Sequence, residues 1–122
     1  MATILIVEDD LELQDLLTRV LTRMGHEVLG SPDGLDALYR LRDMQPDLVI
    51  LDLMMPVAAG DAVLGWIRST KKLKELRVLV VSAHPHAERI AAQLEADYFL
   101  KKPLDMQTFR EVVTAILAGP DA

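Results

Sequence analysis

Three short apolar runs end in residues that could share one piece of chemistry. Ile4-Leu5-Ile6-Val7 ends in Glu8-Asp9-Asp10, Leu48-Val49-Ile50-Leu51 ends in Asp52, and Tyr98-Phe99-Leu100 ends in Lys101-Lys102-Pro103. A fourth run, Val78 to Val81, is followed by Ser82. A carboxylate that leaves a buried strand for a loop is placed to act on a ligand. Brought together, two carboxylates about 4 Å apart repel by roughly 4 kcal/mol at an effective dielectric of 20, so a proton or a cation must relieve them. Hard carboxylate oxygens suit Mg²⁺, which keeps waters and accepts phosphate oxygens as further ligands. Lys102 adds a compact positive charge for those oxygens, and Ser82 a hydroxyl donor. One carboxylate is then free to attack phosphorus and form an acyl phosphate, a transfer that asks mainly for positioning and charge neutralisation.

The segments between these runs must position them. Thr3 to Val7 reads as a first strand. Leu13, Leu16, Leu17, Val20, Leu21 and Met24 then recur at helical spacing from Asp10 until Gly25 stops them. Val28-Leu29 marks a weaker second strand, and Ser31-Pro32-Asp33-Gly34 supplies turn chemistry and a helix cap. Leu35, Leu38, Leu41 and Met44 mark a second helix that ends before Pro46. The third strand is Leu48 to Leu51. The third helix is Gly60 to Ser69, with Val63, Leu64 and Ile67 inward. The fourth strand is Val78 to Val81, and a fourth helix runs from about Ala87 to Leu94. Tyr98 to Leu100 is the fifth strand. Asp105 caps a fifth helix carrying Phe109, Val112, Val113, Ile116 and Leu117, closed by Gly119-Pro120. Five strand–helix pairs with continuous apolar strands call for a parallel sheet covered on both faces. In such sheets ligands sit beyond the carboxyl ends of the strands, the edge where Glu8, Asp9, Asp52, Ser82 and Lys102 would meet.

At 122 residues the chain fits one domain, spanning 1–122 with only 119–122 loose. Thirteen Lys and Arg against nineteen Asp and Glu give a net charge of -6, which disfavours direct binding to nucleic acid. Without cysteine there is no disulfide, thiolate zinc site or thiol nucleophile. No signal-peptide pattern and no membrane-length apolar run is seen, so a cytoplasmic location and no membrane partner are expected.

Four motifs, in order and at matching spacing, carry a resemblance over essentially the whole length. They are Ile6-Val7-Glu8-Asp9-Asp10, Asp47 through Pro56, Val80-Val81-Ser82-Ala83 and Lys102-Pro103. The chain resembles a two-component response-regulator receiver domain, of the chemotaxis-regulator type. The resemblance implies an α/β fold: a doubly wound, flavodoxin-like sheet of five parallel strands in order 2-1-3-4-5, with five helices. It implies that Asp52 accepts the phosphoryl group from a sensor histidine kinase or a histidine phosphotransfer protein. Asp9 would bind Mg²⁺ (Mn²⁺ as substitute) with Asp52 and the carbonyl of Met54, and Glu8 would act through water. Ser82 and Phe99 would be the switch residues, Ala83 would leave room for the phosphoryl group, and the Lys102–Pro103 bond would be cis. The changed face would be the fourth helix, fifth strand and fifth helix, read by a downstream protein. Met54 and His84 would tune phosphate lifetime; Met54 cannot orient a water, so loss over many minutes or longer is expected. Asp10, Leu13, Gln14 and Leu104 are the implied docking residues for the phosphodonor.

Some positions depart from the family pattern. Ala58-Ala59-Gly60 replaces a Met-Asp-Gly or Met-Asn-Gly, with Asp61 as a substitute cap. Glu95 stands where glycine is frequent, and Leu104 replaces an aromatic. Val112 replaces an arginine common in the DNA-binding subfamily, which argues against that style of active dimer.

Taken singly, each feature has a plainer meaning. Glu8-Asp9-Asp10 would start a helix, Asp52 would be a turn aspartate, Ser82 would bond backbone, and Phe99 would be core. Arg68, Lys71, Lys72, Lys74 and Arg77 read as a solvated loop, and His84 and His86 as surface histidines without a third zinc ligand. Two other functions compete. A haloacid-dehalogenase-type phosphatase shares the Asp, Mg²⁺, Ser and Lys, but needs an acid where Met54 stands. An unphosphorylated scaffold on the same fold would have no use for the intact set.

Overall fold

The computed structural model describes residues 1–55 and 60–119. Strands and helices alternate: β1 Thr3–Val7, α1 Leu11–Arg23, β2 Glu27–Ser31, α2 Gly34–Asp43, β3 Leu48–Leu51, α3 Gly60–Ser69, β4 Val78–Ser82, α4 Ala87–Gln93, β5 Tyr98–Lys101 and α5 Met106–Ala118. All four strand pairings are parallel, in the order β2-β1-β3-β4-β5. The expected doubly wound α/β sheet is present.

The pleat sends alternate residues to opposite faces. Leu5, Val7, Val49, Leu51, Val78 and Val80 pack under α2, α3 and α4. Ile4, Ile6, Leu48, Ile50, Leu79 and Val81 pack under α1 and α5, against Leu17, Leu21, Phe109 and Val113. Burial on both faces is why β1, β3 and β4 are unbroken apolar runs. The edge strands β2 and β5 are only partly covered, which is why their apolar signal is weak.

Three aspartates start helices. Asp10 accepts from the N–H groups of Glu12 and Leu13, Asp33 from Asp36, and Asp105 from Thr108. The hydroxyl and N–H of Thr108 hold the Asp105 carboxyl below the usual carboxylate range. Gly25, at φ 95°, stops α1 as expected.

Several sequence expectations need correction. Strands β4 and β5 each take in one further residue, Ser82 and Lys101. Leu35 is not core but 48% exposed; Ala37 and Leu41 are the buried apolar side chains of α2, and Met44 is its extended C-cap. Spacing alone could not tell a Leu on the rim of the helix stripe from one beneath it. Arg68 and Arg77 do not belong to a solvated loop. The Arg68 guanidinium donates to the carbonyls of Glu95, Lys74 and Leu76 and to Asp97. Arg77 donates to the carbonyl of Ile116. Lys71, Lys72 and Lys74 are exposed, as expected. Asp61 lies in the first turn of α3, where its Oδ1 accepts from the N–H of Ala62. Pro56, Ala58 and Ala59, and the tail beyond Gly119, lie outside the described residues.

Glu95 occupies the left-handed region at φ 61°, in the turn between α4 and β5. That conformation costs a residue with a Cβ about 1–2 kcal/mol, of which glycine's greater unfolded freedom offsets part. Glu95→Gly should therefore raise stability by about 0.5–1 kcal/mol, read as a higher urea midpoint at unchanged slope. A lower midpoint would show that the Glu95 side chain holds the turn.

Candidate functional site

The parallel register carries the chemistry to one edge. Val7 is level with Leu51, Leu51 with Val80, and Ser82 with Lys101. The residues that follow these strand ends therefore stand side by side. Backbone hydrogen bonds prolong the ladder past the strand ends. The Glu8 N–H donates to the Ser31 carbonyl at 3.1 Å, Asp52 N–H to Val7 at 3.0 Å, and Lys102 N–H to Ser82 at 3.1 Å. Each chemistry-bearing residue is thus fixed by its neighbour strand.

Glu8 is 1% and Asp52 3% exposed, whereas Asp9 faces solvent. Lys102 Nζ donates to Glu8 Oε1 at 2.8 Å and to Asp52 Oδ2 at 3.1 Å. The remaining carboxylate oxygens are also held. Met54 N–H donates to Asp52 Oδ1 at 3.0 Å, and Asp10 N–H donates to Glu8 Oε2 at 3.1 Å. One ammonium group is shared by two buried carboxylates. Burial pushes Glu8 up to about 7, against the pull of Lys102 and the Asp10 N–H, with the Asp52 charge adding to the rise. Burial works against the charge on Lys102, but its bond to Glu8 and the charge of Asp52 outweigh this and hold it above the usual lysine range.

Ligand oxygens of Glu8, Asp9 and Asp52 all lie within 4.8 Å of one another. Three hard anionic donors this close, one of them open to water, can hold a divalent cation. Burial is what chiefly lifts Glu8, with the Asp52 charge adding to it, and such an ion would favour the charged form of both.

The other anticipated residues fall around this centre. Ser82 is fully buried at the end of β4, and its Oγ accepts from the N–H of His84 at 3.1 Å. Ala83 is exposed beside it. Met54 is exposed, while His84 is half-buried with Nδ1 accepting from the His86 N–H at 3.0 Å. Among the described residues neither histidine joins a metal-ligand group. Phe99 is half-buried against the core under α4, and the Lys102–Pro103 bond is cis. Asp10, Leu13, Leu104, Lys102 and Pro103 line a cavity of about 450 Å³ together with Leu16 of α1.

Gln14 differs from its fellow docking candidates. Its Nε2 donates to the carbonyls of Glu8 and Ser31, each at 3.1 Å, and its amide lies over Gly30 of β2. It ties α1 to the strand end that carries Glu8, a positioning role the sequence reading missed. Gly30, directly after the apolar pair Val28-Leu29 of β2, was the available signal, because a Cβ there would lie 2.3 Å from Gln14 Oε1. A second missed residue is Gly60. A Cβ on it would lie 2.2 Å from the Asp52 carbonyl oxygen, so the start of α3 rests directly on the backbone of the central carboxylate.

Among the described residues no helix is long and apolar enough to cross a membrane. Comparison with known proteins agrees with the geometry. The family model of the response regulator receiver domain matches residues 4–114. The transcriptional regulatory protein AfsQ1 of Streptomyces coelicolor is 33% identical over 119 residues, covering 96% of this chain and 52% of the relative. The chain spans about half the length of the curated relatives it matches. The signal receiver domain of a signal transduction histidine kinase from Syntrophus aciditrophicus superposes with a TM-score of 0.91 at 27% identity, covering 98% of this chain and 92% of that one. The response regulator protein TrrA of Thermotoga maritima, in complex with Mg²⁺-BeF, gives 0.85 at 31% identity, covering 95% and 99%. With its fold, its acidic pocket and the family match over most of its length in agreement, the chain belongs to the receiver domains of two-component response regulators.

Proposed function

We propose that this domain takes a phosphoryl group from a histidine kinase or a histidine phosphotransfer protein onto Asp52. The supporting observation is the Lys102 ammonium lying within hydrogen-bond reach of both Glu8 and Asp52 in an otherwise acidic pocket. An Asp52 oxygen forms the new bond to phosphorus as the bond to the donor's imidazole nitrogen breaks, and the imidazole leaves with the electron pair. Met54 N–H and Lys102 orient the carboxylate for in-line approach. Glu8, Asp9, Asp52 and the Met54 carbonyl would hold Mg²⁺, or Mn²⁺ in its place, which when bound supplies positive charge against the phosphoryl oxygens. Lys102 adds its own charge, and the Ser82 hydroxyl is the nearby donor on β4.

The product carries roughly two negative charges on phosphoryl oxygens, where the carboxylate had one. Ser82 and the 83–86 loop answer that change, Phe99 turns inward, and the α4–β5–α5 surface presents a different face to a downstream protein. Met54 offers no acceptor for an attacking water, and the Nδ1 of His84 is already engaged. The acyl phosphate is therefore long-lived.

Incubating the protein with Mg²⁺ and a small phosphodonor should add one phosphate by intact mass, and Asp52→Asn should abolish it. Freed of donor, the product should persist for many minutes. No uptake by the intact protein would overturn the assignment of Asp52. Decay within seconds would overturn only the roles of Met54 and His84.

The phosphodonor docks on the apolar cavity between α1 and the loop after β5, with Leu13 and Leu104 as its walls and Asp10 at its rim. Gln14 is set aside, because its amide is committed to backbone. Leu13→Glu should lower transfer from a kinase at least tenfold while leaving uptake from the small donor unchanged. Equal losses from both donors would point to a damaged site rather than a lost interface.

A further inference from the structure

Helices α2 and α3 bear an apolar stripe that phosphoryl transfer does not use. Leu35, Tyr39 and Arg42 follow one another at helical spacing along α2. Leu35 is 48% and Tyr39 59% exposed. Leu38 and Trp66 of α3 lie half-buried beside them, and these five residues line a groove of about 190 Å³. A Cβ on Gly65 would meet nothing within 4 Å, so the flank of α3 next to Trp66 is open. Small-molecule pockets run to about 300–1,000 Å³. This groove is smaller, and its size suits one or two side chains inserted by a protein partner.

Charge at one end of the groove says what kind of partner. Lys72 Nζ donates to the Arg42 carbonyl at 3.3 Å, and Gln45 Nε2 donates to the Lys72 carbonyl at 3.5 Å. These bonds hold the loop after α3 against the C-terminal end of α2. Arg42, Lys71, Lys72 and Lys74 therefore gather there, with Asp43 and Glu75 offsetting part of their charge. None of the four forms an ion pair among the described residues. A positive end on a molecule of net charge -6 runs against the average field of the chain.

We propose that the α2–α3 groove docks an acidic amphipathic segment of another protein. Its apolar side chains seat between Tyr39 and Trp66, and its carboxylates meet Arg42 and Lys71. The groove lies on the sheet face covered by α2, α3 and α4. The proposed phosphodonor cavity lies between α1 and the β5–α5 loop, so both can be occupied at once. A second copy is the weaker occupant, because two chains of this net charge repel at long range. The proposal uses no step of phosphoryl transfer and stands or falls apart from it.

Trp66 is the only tryptophan of the chain and reports on the groove directly. The test begins with a displayed library of random peptides roughly four helical turns long. It is selected on the full chain and depleted on Tyr39→Arg. Enriched sequences should be net acidic with apolar residues at helical spacing. A synthetic copy of the commonest should shift Trp66 emission saturably to shorter wavelength. Arg42→Glu should weaken that binding at least tenfold, and Tyr39→Ala should abolish it. Both residues are exposed, and each variant is first shown to keep the wild-type urea midpoint and uptake from a small phosphodonor. Enrichment that does not depend on Tyr39, or of net basic or uncharged sequences, would overturn the proposal. So would Trp66 emission that shifts with protein concentration alone, which would make a second copy the occupant.

Discussion

Gly60→Ala should destabilise the domain by about 3 kcal/mol or more, the upper end for forcing an extra methyl into a packed region. The new Cβ would meet the Asp52 carbonyl oxygen at 2.2 Å and Leu53 Cα at 2.5 Å, both backbone atoms. Backbone cannot rotate away as a side chain can. Either α3 lifts from the sheet, exposing Val63, Leu64 and Ile67, or the segment after β3 is displaced. The second outcome moves Asp52 itself, so phosphoryl uptake should fall together with the urea midpoint. Gly30→Ala is the control of the same size: the nearest atoms it meets belong to the amide of Gln14, a side chain that can swing aside at the loss of two hydrogen bonds. If Gly60→Ala proved as mild as Gly30→Ala, the close approach of α3 to the Asp52 backbone would be refuted.

Lys102→Met should have the second large effect, and its size should depend on pH. Removing the ammonium leaves Glu8 and Asp52, both almost sealed from water, without their shared cation. Orphaning a buried charge costs about 3–5 kcal/mol. Glu8 can escape by taking a proton, since burial has already pushed it to about 7 from an ordinary value of 4.5. In the wild type its folded value lies above its unfolded one. The stability linked to that proton is complete below about 4.5 and is lost as pH rises through about 7. Without Lys102 the folded value rises further, so the loss is larger and extends above 7. With a chelator present, Lys102→Met should be close to wild type at acidic pH and clearly destabilised at alkaline pH. Added Mg²⁺ should restore much of the difference. Uptake from a small phosphodonor should slow at least tenfold, because the remaining groups leave the phosphoryl oxygens under-neutralised. A pH-independent loss of stability would show that Lys102 serves packing rather than charge.

The sequence made the strand ends legible because a residue after a doubly buried strand has one place to go. Apolar runs at Ile4, Leu48 and Val78 located the edge, and the types that followed named the chemistry. Helix starts were readable at Asp10 and Asp105, where one short carboxylate does a local job. What stayed hidden depends on contacts between distant segments. Arg68 looked like one member of a basic run, yet it gathers the end of α3, the approach to β4 and the turn at Glu95. Gln14 reads from the sequence as a docking residue on α1, and only its bonds to the Glu8 and Ser31 carbonyls over Gly30 show why an amide lies there. Leu35 has the spacing of a core residue but lies half exposed, outside the buried part of the α2 stripe.

The amides of Glu8, Asp52 and Lys102 are pinned by neighbouring strands, so the floor of the pocket has almost no freedom to yield when charge arrives. On the proposed function, adaptation begins in parts outside that frame: the lysine side chain, the buried hydroxyl, the short 83–86 loop and the Phe99 ring. A signal read from this domain would therefore travel as a local rearrangement above a stationary base. Amide hydrogen exchange at the three pinned positions should stay as slow after phosphorylation as before.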